Sequence, residues 1–293
     1  MAHSNNFFRK HYRRRTKSQK TVFSIFYVIY FIFTILCIYP LIWCILNALK
    51  TTPEYLESSF NLPTNFQFIN FSKALKNFKV NGQGFFDMLI NSCWQTFGGC
   101  ALNILASVLV AYPLARYKFP LKGLIYGIII FRVTIPIIGS APSEYNLFSK
   151  LGMVNNPSLF WIAWLSGFDM SALILYGYFK SISPSYAEAA KIDGASKFKI
   201  MWQIELPQAL PCIIALYINL VVAKWNDYTT AQIYLRKYPN LAYGLYEFSQ
   251  NVNNTGGYTV YFAIAILSVI PSIIIYALAQ KLMVKNMSIG GLK

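Results

Sequence analysis

The sequence predicts an all-α membrane protein whose chain crosses the bilayer six times. Hydrophobic residues make up 56% of the 293 positions and charged residues only 12%, and this charged fraction is about half that of an average soluble domain. Runs with little or no charge recur along the chain, and each approaches the roughly 20 residues that a helix needs to cross the hydrocarbon core. Composition and run length together therefore favour a polytopic helical bundle over a soluble fold.

The first predicted transmembrane helix covers residues 21–49, because no charge occurs between Lys20 and Lys50. The apolar run is longer than the roughly 7–15 residues of a signal-peptide core, and no small-residue cleavage site follows it. We therefore interpret it as a retained helix.

Five further runs predict the remaining spans. Arg132 interrupts the third span, and Asp169 interrupts the fourth. Pro136, Gly139 and Pro142 predict a broken or kinked third helix, which a membrane tolerates where the backbone lines a cavity. The five spans are predicted at residues 88–112, 122–142, 157–179, 207–229 and 258–280.

Lysine and arginine residues predict the orientation of the six spans, which place both termini on one side. That side has 17 of them: seven in the N-terminal tail, three between the second and third spans, four between the fourth and fifth, and three at the C-terminal end. The opposite loops have seven. Because these residues collect in cytoplasmic loops, the distribution predicts an N-in, C-in topology. This topology accounts for the net charge of +16 without a nucleic acid partner.

The spans and loops divide the chain into predicted segments. These are a basic cytoplasmic tail (1–20), the first transmembrane helix (21–49), an extracytoplasmic loop (50–85), a five-helix core (86–282) that includes a cytoplasmic loop (181–207), and a cytoplasmic C-terminal tail (283–293).

Residues that commonly carry catalysis or bind metals are sparse and scattered. The five cysteines lie in apolar runs without a CxxC pair, and the two histidines, His3 and His11, lie in the basic tail. Zinc, redox and Ser-His-Asp or Cys-His chemistry all require clustered groups. We therefore expect no catalytic site and no metal site.

The longest internal cytoplasmic loop contains the charged stretch EAAKIDGASKFKIMWQIELP, residues 188–207. Ser183 followed by Pro184 is typical of a helix start. Gly194 is placed to end that helix in a left-handed turn. The loop therefore begins with a short predicted helix.

Residues 197–203 predict a second short helix in the same loop, with Phe198, Met201 and Trp202 along one side. Pro207 either stops this helix or lies in the first turn of the next span. Two short helices with an exposed apolar side fit a groove on another protein. The alternative is an amphipathic loop lying on the membrane surface.

Seven positions of this loop resemble, at fixed spacing, the EAA loop of the membrane-spanning subunits of binding-protein-dependent ATP-binding-cassette (ABC) importers. They are Glu188, Ala189, Ala190, Gly194, Ile204, Leu206 and Pro207. The segments AYPLARYKFP (111–120) and KWND (224–227) and the ending QKLMVKNMSIGGLK look like the carbohydrate-uptake branch, in particular its maltose-permease-like subunits. The resemblance covers the chain from about Leu46 onward.

The resemblance implies a type I ABC importer permease fold in the bacterial plasma membrane. It also implies three kinds of partner: a second permease subunit, two ATPase subunits and an extracytoplasmic solute-binding protein. ATP and Mg²⁺ would bind to the ATPase subunits and not to this chain, which contains no G-x-x-x-x-G-K-[ST] motif and is therefore not expected to be an enzyme.

In this family the EAA loop docks on the ATPase subunit, and to the matching positions we add neighbouring charged and apolar residues of the loop. The residues expected to couple this chain to the ATPase are Glu188, Ala189, Ala190, Asp193, Gly194, Phe198, Met201, Ile204, Leu206 and Pro207.

Polar residues at membrane depth are the candidates for the substrate pathway. We expect this role for Arg132, Asp169, Trp225 and Asn226. Arg132 has an equal alternative as one half of a structural pair inside the bundle. Lys224, which lies three residues before Asp227 on the same helix, is interpreted as half of a local ion pair.

The expected cargo is a sugar or oligosaccharide. The alternatives are an importer of another solute (an amino acid, a peptide or phosphate), an ion-driven carrier, and a membrane-embedded transferase. A carrier needs coupled acidic residues at mid-membrane, where only Asp169 is present. A transferase needs paired carboxylates or a metal cluster, which the sequence lacks.

Overall fold

The computed structural model describes residues 17–135, 139–252 and 256–290. These residues form helices, with one isolated bridge between Val80 and Gln83, so the all-α prediction is confirmed. The helices are α1 (Lys17–Ala48), α2 (Thr52–Glu57), α3 (Ile69–Asn77), α4 (Phe85–Cys93), α5 (Gly99–Arg116), α6 (Lys122–Thr134), α7 (Ala141–Lys150), α8 (Pro157–Phe160), α9 (Met170–Ser181), α10 (Pro184–Ile192), α11 (Lys197–Ile200), α12 (Leu206–Trp225), α13 (Thr229–Tyr234), α14 (Leu241–Gln250) and α15 (Tyr258–Gly290).

Four stretches of continuous helix in the described chain are long and apolar enough to cross a membrane. Two of them include a π-helical segment, at Trp94–Gly98 between α4 and α5 and at Met201–Glu205 between α11 and α12. They correspond to the first, second, fifth and sixth predicted spans. The four are Thr21–Ala48, Phe85–Arg116, Lys197–Trp225 and Tyr258–Leu278.

The third and fourth spans do not form as the continuous helices predicted at 122–142 and 157–179. Helix α6 has 13 residues and α9 has 12, and at 1.5 Å per residue each is only about 20 Å long, which is too short for a hydrocarbon core of about 30 Å. Within the described residues, the short helix α7 follows α6. Helix α8, a 3-10 turn and irregular backbone at 165–169 precede α9.

The break after α6 has a local cause. Ile135, the residue before Pro136, is extended (φ −98°, ψ 109°), because the proline ring disfavours the helical conformation of its predecessor. Gly139 has a positive φ of 84°, and Pro142 lies in the first turn of α7. The predicted break is confirmed at Gly139 and Pro142, and Pro136 itself lies outside the described residues.

Hydrogen bonds between the segments that connect the helices show which of these segments lie together at one end of the bundle. At one end the side chains of Gln83 and Gln95 donate to the carbonyls of Lys237 and Tyr238, both at 2.8 Å, and Asn155 accepts from the Lys237 N–H at 2.9 Å. We call this the distal end; it holds residues 78–84, 139–156 and 226–240. The loop end holds residues 117–121 and 182–196.

Apolar clusters fill the space between the helices. One cluster joins the end of α1 to α4, α14 and α15 through residues such as Ala48, Met88 and Ile264. A second joins α5, α9 and α12 through residues such as Leu175 and Ala209. Most side chains of α1 before residue 43 are exposed, which leaves this apolar helix open to lipid or to another subunit.

Gly167 lies in the irregular segment that precedes α9, and it allows this segment to approach α5 closely. It has a φ of +57°, and a Cβ at this position would lie 2.8 Å from the carbonyl oxygen of Ala106. A non-glycine residue therefore meets both an unfavourable conformation and a rigid backbone atom.

We predict that Gly167→Ala lowers the free energy of unfolding by about 1–3 kcal/mol, the usual cost of a strained backbone conformation. Thermal unfolding of the detergent-solubilised protein, followed by tryptophan fluorescence, measures the effect. Gly177→Ala is the matched control, because this glycine lies in helix α9 with no atom near the added Cβ. An equal melting temperature for the Gly167 variant and the wild type would contradict the prediction.

Candidate functional site

Helix α10 carries the first part of the EAA loop, and its two ends agree with the sequence prediction. It begins at Pro184 directly after Ser183. At its other end Gly194 has a φ of +75°. The Gly194 N–H donates to the Lys191 carbonyl at 3.1 Å, and the Ala195 N–H donates to the Ala190 carbonyl at 2.9 Å. This pair of bonds closes the helix through a left-handed glycine.

The second part of the loop differs from the predicted separate helix. Helix α11 continues through the π-helical segment into α12, so residues 197–225 form one helix. Pro207 therefore does not stop a helix and lies in the first turn of α12. A proline lacks an N–H group and clashes with the carbonyl four residues earlier, and the wider π turn directly before it accommodates this defect.

The expected coupling residues differ in exposure. Six are exposed, one is buried and three are partly buried. The exposed residues are Glu188, Ala189, Asp193, Gly194, Phe198 and Pro207; Ala190 is buried; and Met201, Ile204 and Leu206 are partly buried.

An apolar surface is nevertheless present at the tip of the loop. Ile192 is 87% exposed and Phe198 is 68% exposed, and the Phe198 ring lies 5.9 Å from that of Trp202. Met201 instead packs against the second core cluster. Ile192 was not among the residues that we expected from the sequence; its position next to the turn glycine was the available signal.

A pocket of about 340 Å³ lies between α10 and the end of α5. Two charged residues that face it form a buried ion pair: Arg116 Nη2 lies 2.7 Å from Glu205 Oε1, and the two side chains are 14% and 1% exposed. Glu188 also lines the pocket and takes part in neither of the ion pairs found among the described residues. The sequence analysis missed the pair, although Arg116 and Glu205 both lie within the motifs that carry the family resemblance.

A larger cavity of about 450 Å³ lies where the short helices break. It is lined by the start of α5, the segment around Ser166, Arg132 of α6 and the end of α12. Arg132 is exposed and donates from Nη1 to the Phe168 carbonyl at 3.0 Å. This contact is to backbone, so the guanidinium retains further donors that face the cavity.

Asp169 lies beside this cavity and is engaged on several sides. It caps helix α9 by accepting from the N–H groups of Ser171 and Ala172. It also accepts from Asn103 Nδ2 at 2.8 Å and from Ser107 Oγ at 3.2 Å. The sequence analysis missed Asn103 and Ser107, which are four residues apart on an apolar helix and so share a face.

The end of α12 supplies the charged wall of the cavity. Lys224 Nζ lies 2.9 Å from Asp227 Oδ2, which confirms the predicted ion pair, and both residues line the cavity. Burial raises the pKa of the Asp227 carboxyl, but Lys224 and the hydrogen bonds from Thr230 outweigh this effect and hold the pKa below its usual value. Asp227 is therefore a carboxylate at neutral pH.

The other two expected pathway residues do not line the cavity. Trp225 is only 5% exposed and packs in the first core cluster. Asn226 is exposed, and its Nδ2 donates to the Val222 carbonyl at 3.0 Å. The structure thus brings Arg132 and Asp169 together around the cavity and directs Trp225 and Asn226 away from it.

Known permease proteins resemble this chain over two thirds of its length or more. The diacetylchitobiose uptake system permease protein NgcG of Streptomyces coelicolor is 26% identical over 95% of this chain and 91% of its own. The maltose/maltodextrin transport system permease protein MalG of Salmonella typhimurium is 31% identical over 67% of this chain and 69% of its own.

A chain of a bacterial ABC transporter involved in the import of the acidic polysaccharide alginate has the same fold, with a TM-score of 0.74 and 25% identity over 92% of this chain and 99% of that chain. Residues 103–289 match the family model described as the binding-protein-dependent transport system inner membrane component. This match covers most of the chain and includes the EAA loop and most of the residues that line the cavity. The protein therefore belongs to the family of inner membrane components of binding-protein-dependent transport systems.

Proposed function

We propose that this chain is the transmembrane permease subunit of an ABC importer that moves a sugar or oligosaccharide into a bacterial cell. The observation that carries the proposal is the family match over residues 103–289, which contains a loop with the EAA spacing on an exposed helix and turn. The relatives named for diacetylchitobiose and for maltose and maltodextrin support a carbohydrate cargo.

The order in which the chain visits the two ends of the bundle supports six membrane crossings, with both termini in the cytoplasm. From α4 to α12 the chain passes alternately between the distal end and the loop end. The hydrogen bonds of Gln83, Gln95 and Asn155 with residues 237–238 hold the distal end together. The contacts of Arg116 with Ile182 and Glu205 hold the loop end together. This gives four crossings between α4 and α12, and α1 and α15 add one each. The lysine and arginine distribution assigns the loop end to the cytoplasm.

The EAA loop is the proposed contact with the ATPase subunit. Helix α10 and the Gly194 turn present the carboxylates of Glu188 and Asp193 beside an apolar tip formed by Ile192 and Phe198. A short helix with apolar anchors fits a groove on a partner protein. ATP and Mg²⁺ bind to the two ATPase subunits in this proposal, and this chain supplies no catalytic residue.

The cavity beside Arg132 is the proposed part of the substrate pathway within this chain. Irregular backbone occurs at membrane depth where it lines a water-filled cavity. Residues 165–169 are irregular here, and Ser166 lines the cavity. The guanidinium of Arg132 and the Lys224–Asp227 pair offer donors and acceptors to a hydroxyl-rich ligand. Because the cavity is open, we propose that a second, different permease subunit closes it.

An importer of another solute shares the same loop, and it remains the second candidate. An ion-driven carrier is less favoured because Asp169, the acidic group it would need, is already held by the α9 N-terminus, Asn103 and Ser107.

The test is uptake into proteoliposomes that contain the chain with its co-expressed permease, ATPase and binding-protein subunits. We expect ATP-dependent uptake of at least one of diacetylchitobiose, maltotriose and raffinose when an ionophore has collapsed the proton gradient. Glutamine and inorganic phosphate serve as the non-sugar substrates. Uptake that requires the proton gradient, or that occurs only with a non-sugar substrate, would contradict the proposal.

We predict a graded effect of substitutions at Gly194, because its φ is +75° and an added Cβ meets no neighbouring atom. Backbone conformation alone then decides the outcome, and asparagine tolerates the left-handed region better than alanine, while a β-branched residue tolerates it least. Transport per ATP hydrolysed should fall in the order Gly194→Asn, Gly194→Ala, Gly194→Val. If Gly194→Val transports as much substrate per ATP hydrolysed as the wild type, the turn does not couple ATP hydrolysis to transport.

We also predict that Arg132→Gln raises the KM for uptake about tenfold, the usual effect of losing a charged hydrogen bond to a ligand. The rate at saturating substrate should change much less. Lys150→Gln is the matched control, since it removes a positive charge at the exposed end of α7. A KM equal to that of the control would show that Arg132 does not contact the substrate.

A further inference from the structure

We propose that Arg116 transmits the movement of the EAA loop to the helix that lines the cavity. A single guanidinium holds both ends of the loop to the end of α5, so the loop and this helix move as one body. This inference rests on the proposed function, and it assigns a positioning role to a residue outside the EAA loop itself.

The geometry of the contact is the first argument. Arg116 Nη2 donates to the Ile182 carbonyl at 3.1 Å, two residues before α10 begins. The same nitrogen lies 2.7 Å from Glu205 Oε1, where the π-helical segment passes into α12. Residues 182 and 205 are the two boundaries of the loop, and both therefore meet on one side chain.

Burial makes this contact hard to replace. Glu205 is 1% exposed, and Arg116 is the positive charge that lies beside it. The Tyr112 hydroxyl of the same helix α5 also hydrogen-bonds the Glu205 side chain, but it carries no charge to balance the carboxylate. Each charge therefore depends on the other, since removal of one partner leaves an uncompensated buried charge. Lysine is a poor replacement, because its compact ammonium is more strongly hydrated than a guanidinium and therefore costs more to bury.

Arg116 lies at the end of α5, and this helix connects the EAA loop to the cavity. Helix α5 has 18 residues, so about 27 Å separate its two ends. Its first residues Gly99, Cys100 and Asn103 line the cavity. A rigid helix carries a displacement at Arg116 to the cavity wall.

A further contact between the loop and the end of α5 is weaker. Lys197 Nζ lies 5.6 Å from the centre of the Tyr117 ring, and Lys197 is exposed. Such an exposed cation–π contact contributes little. In the described part of the chain, the Arg116–Glu205 pair is the one contact between these two elements that joins opposite charges.

The first experiment compares Arg116→Gln, Arg116→Lys, Glu205→Gln and the double variant Arg116→Gln/Glu205→Gln in the reconstituted complex. We expect each single variant to assemble with the ATPase subunits and to hydrolyse ATP. Uptake per ATP should fall about tenfold for whichever of diacetylchitobiose, maltotriose and raffinose the wild-type complex transports. The double variant should be no worse than either single variant, because the two residues act as a unit. Lys118→Gln is the matched control: it removes an exposed positive charge two residues away and should leave the ratio unchanged.

The second experiment measures the movement directly and needs no substrate. Spin labels at Tyr186→Cys on α10 and Leu109→Cys on α5, both exposed, report the distance between loop and helix after the native cysteines are replaced. In the otherwise unaltered chain, the distance should be the same with and without ATP, because the two elements move together. In Arg116→Gln it should broaden or change when ATP binds.

Two results would overturn the proposal. One is an unchanged ratio of uptake to ATP hydrolysis in all Arg116 variants that assemble. The other is a distance between the labels that changes with ATP in the unaltered chain to the same extent as in Arg116→Gln. Failure of the proposed function would look different: no ATPase subunit would co-purify with the wild-type chain, or ATP would support no sugar uptake by the wild-type complex.

Discussion

The hydrogen-bonding requirement of the backbone in lipid is the constraint on which this structure depends. Hydrocarbon offers no hydrogen-bond partner to an unpaired N–H or C=O group. Helices therefore continue where the chain faces lipid and break only where other groups of the protein can bond to the free backbone groups. Asp169 shows how a break is satisfied, since its carboxylate accepts the free N–H groups at the start of α9. Asn70 does the same for the end of α1 by donating to the carbonyls of Ala48 and Lys50, both at 2.8 Å.

The same requirement locates the two functional regions. The cavity lies where α6 and α9 are too short to cross and where irregular backbone must be lined by polar groups. The EAA loop lies where the chain leaves the bilayer, so a short helix can project with its own cap and turn. Helix α5 connects these regions because it runs without interruption from the cavity wall to Arg116. Transport by such a subunit requires this kind of connection, since the energy source lies in another protein.

Much of the EAA loop could be predicted from sequence because its signals are local. Proline after serine and glycine at a helix end act within a few residues, and Ser183, Pro184 and Gly194 behave as predicted. The continuation of residues 197–225 as one helix was not predictable in the same way. A proline usually ends a helix, and nothing local predicts the π-helical turn that accommodates Pro207 and carries Met201 into the second core cluster.

The sequence by itself determined the all-helical membrane class, four of the long spans, the break near Gly139 and the family. Each of these depends on composition, on run length or on residues close together in the chain. Only the tertiary structure decided which polar groups meet. Trp225 and Asn226 are neighbours of Lys224 in sequence but point elsewhere, whereas Arg116 and Glu205 are 89 positions apart by number and form a buried pair. Contacts of this kind depend on how helices pack and rotate against one another, and the order of residues along the chain does not encode that locally.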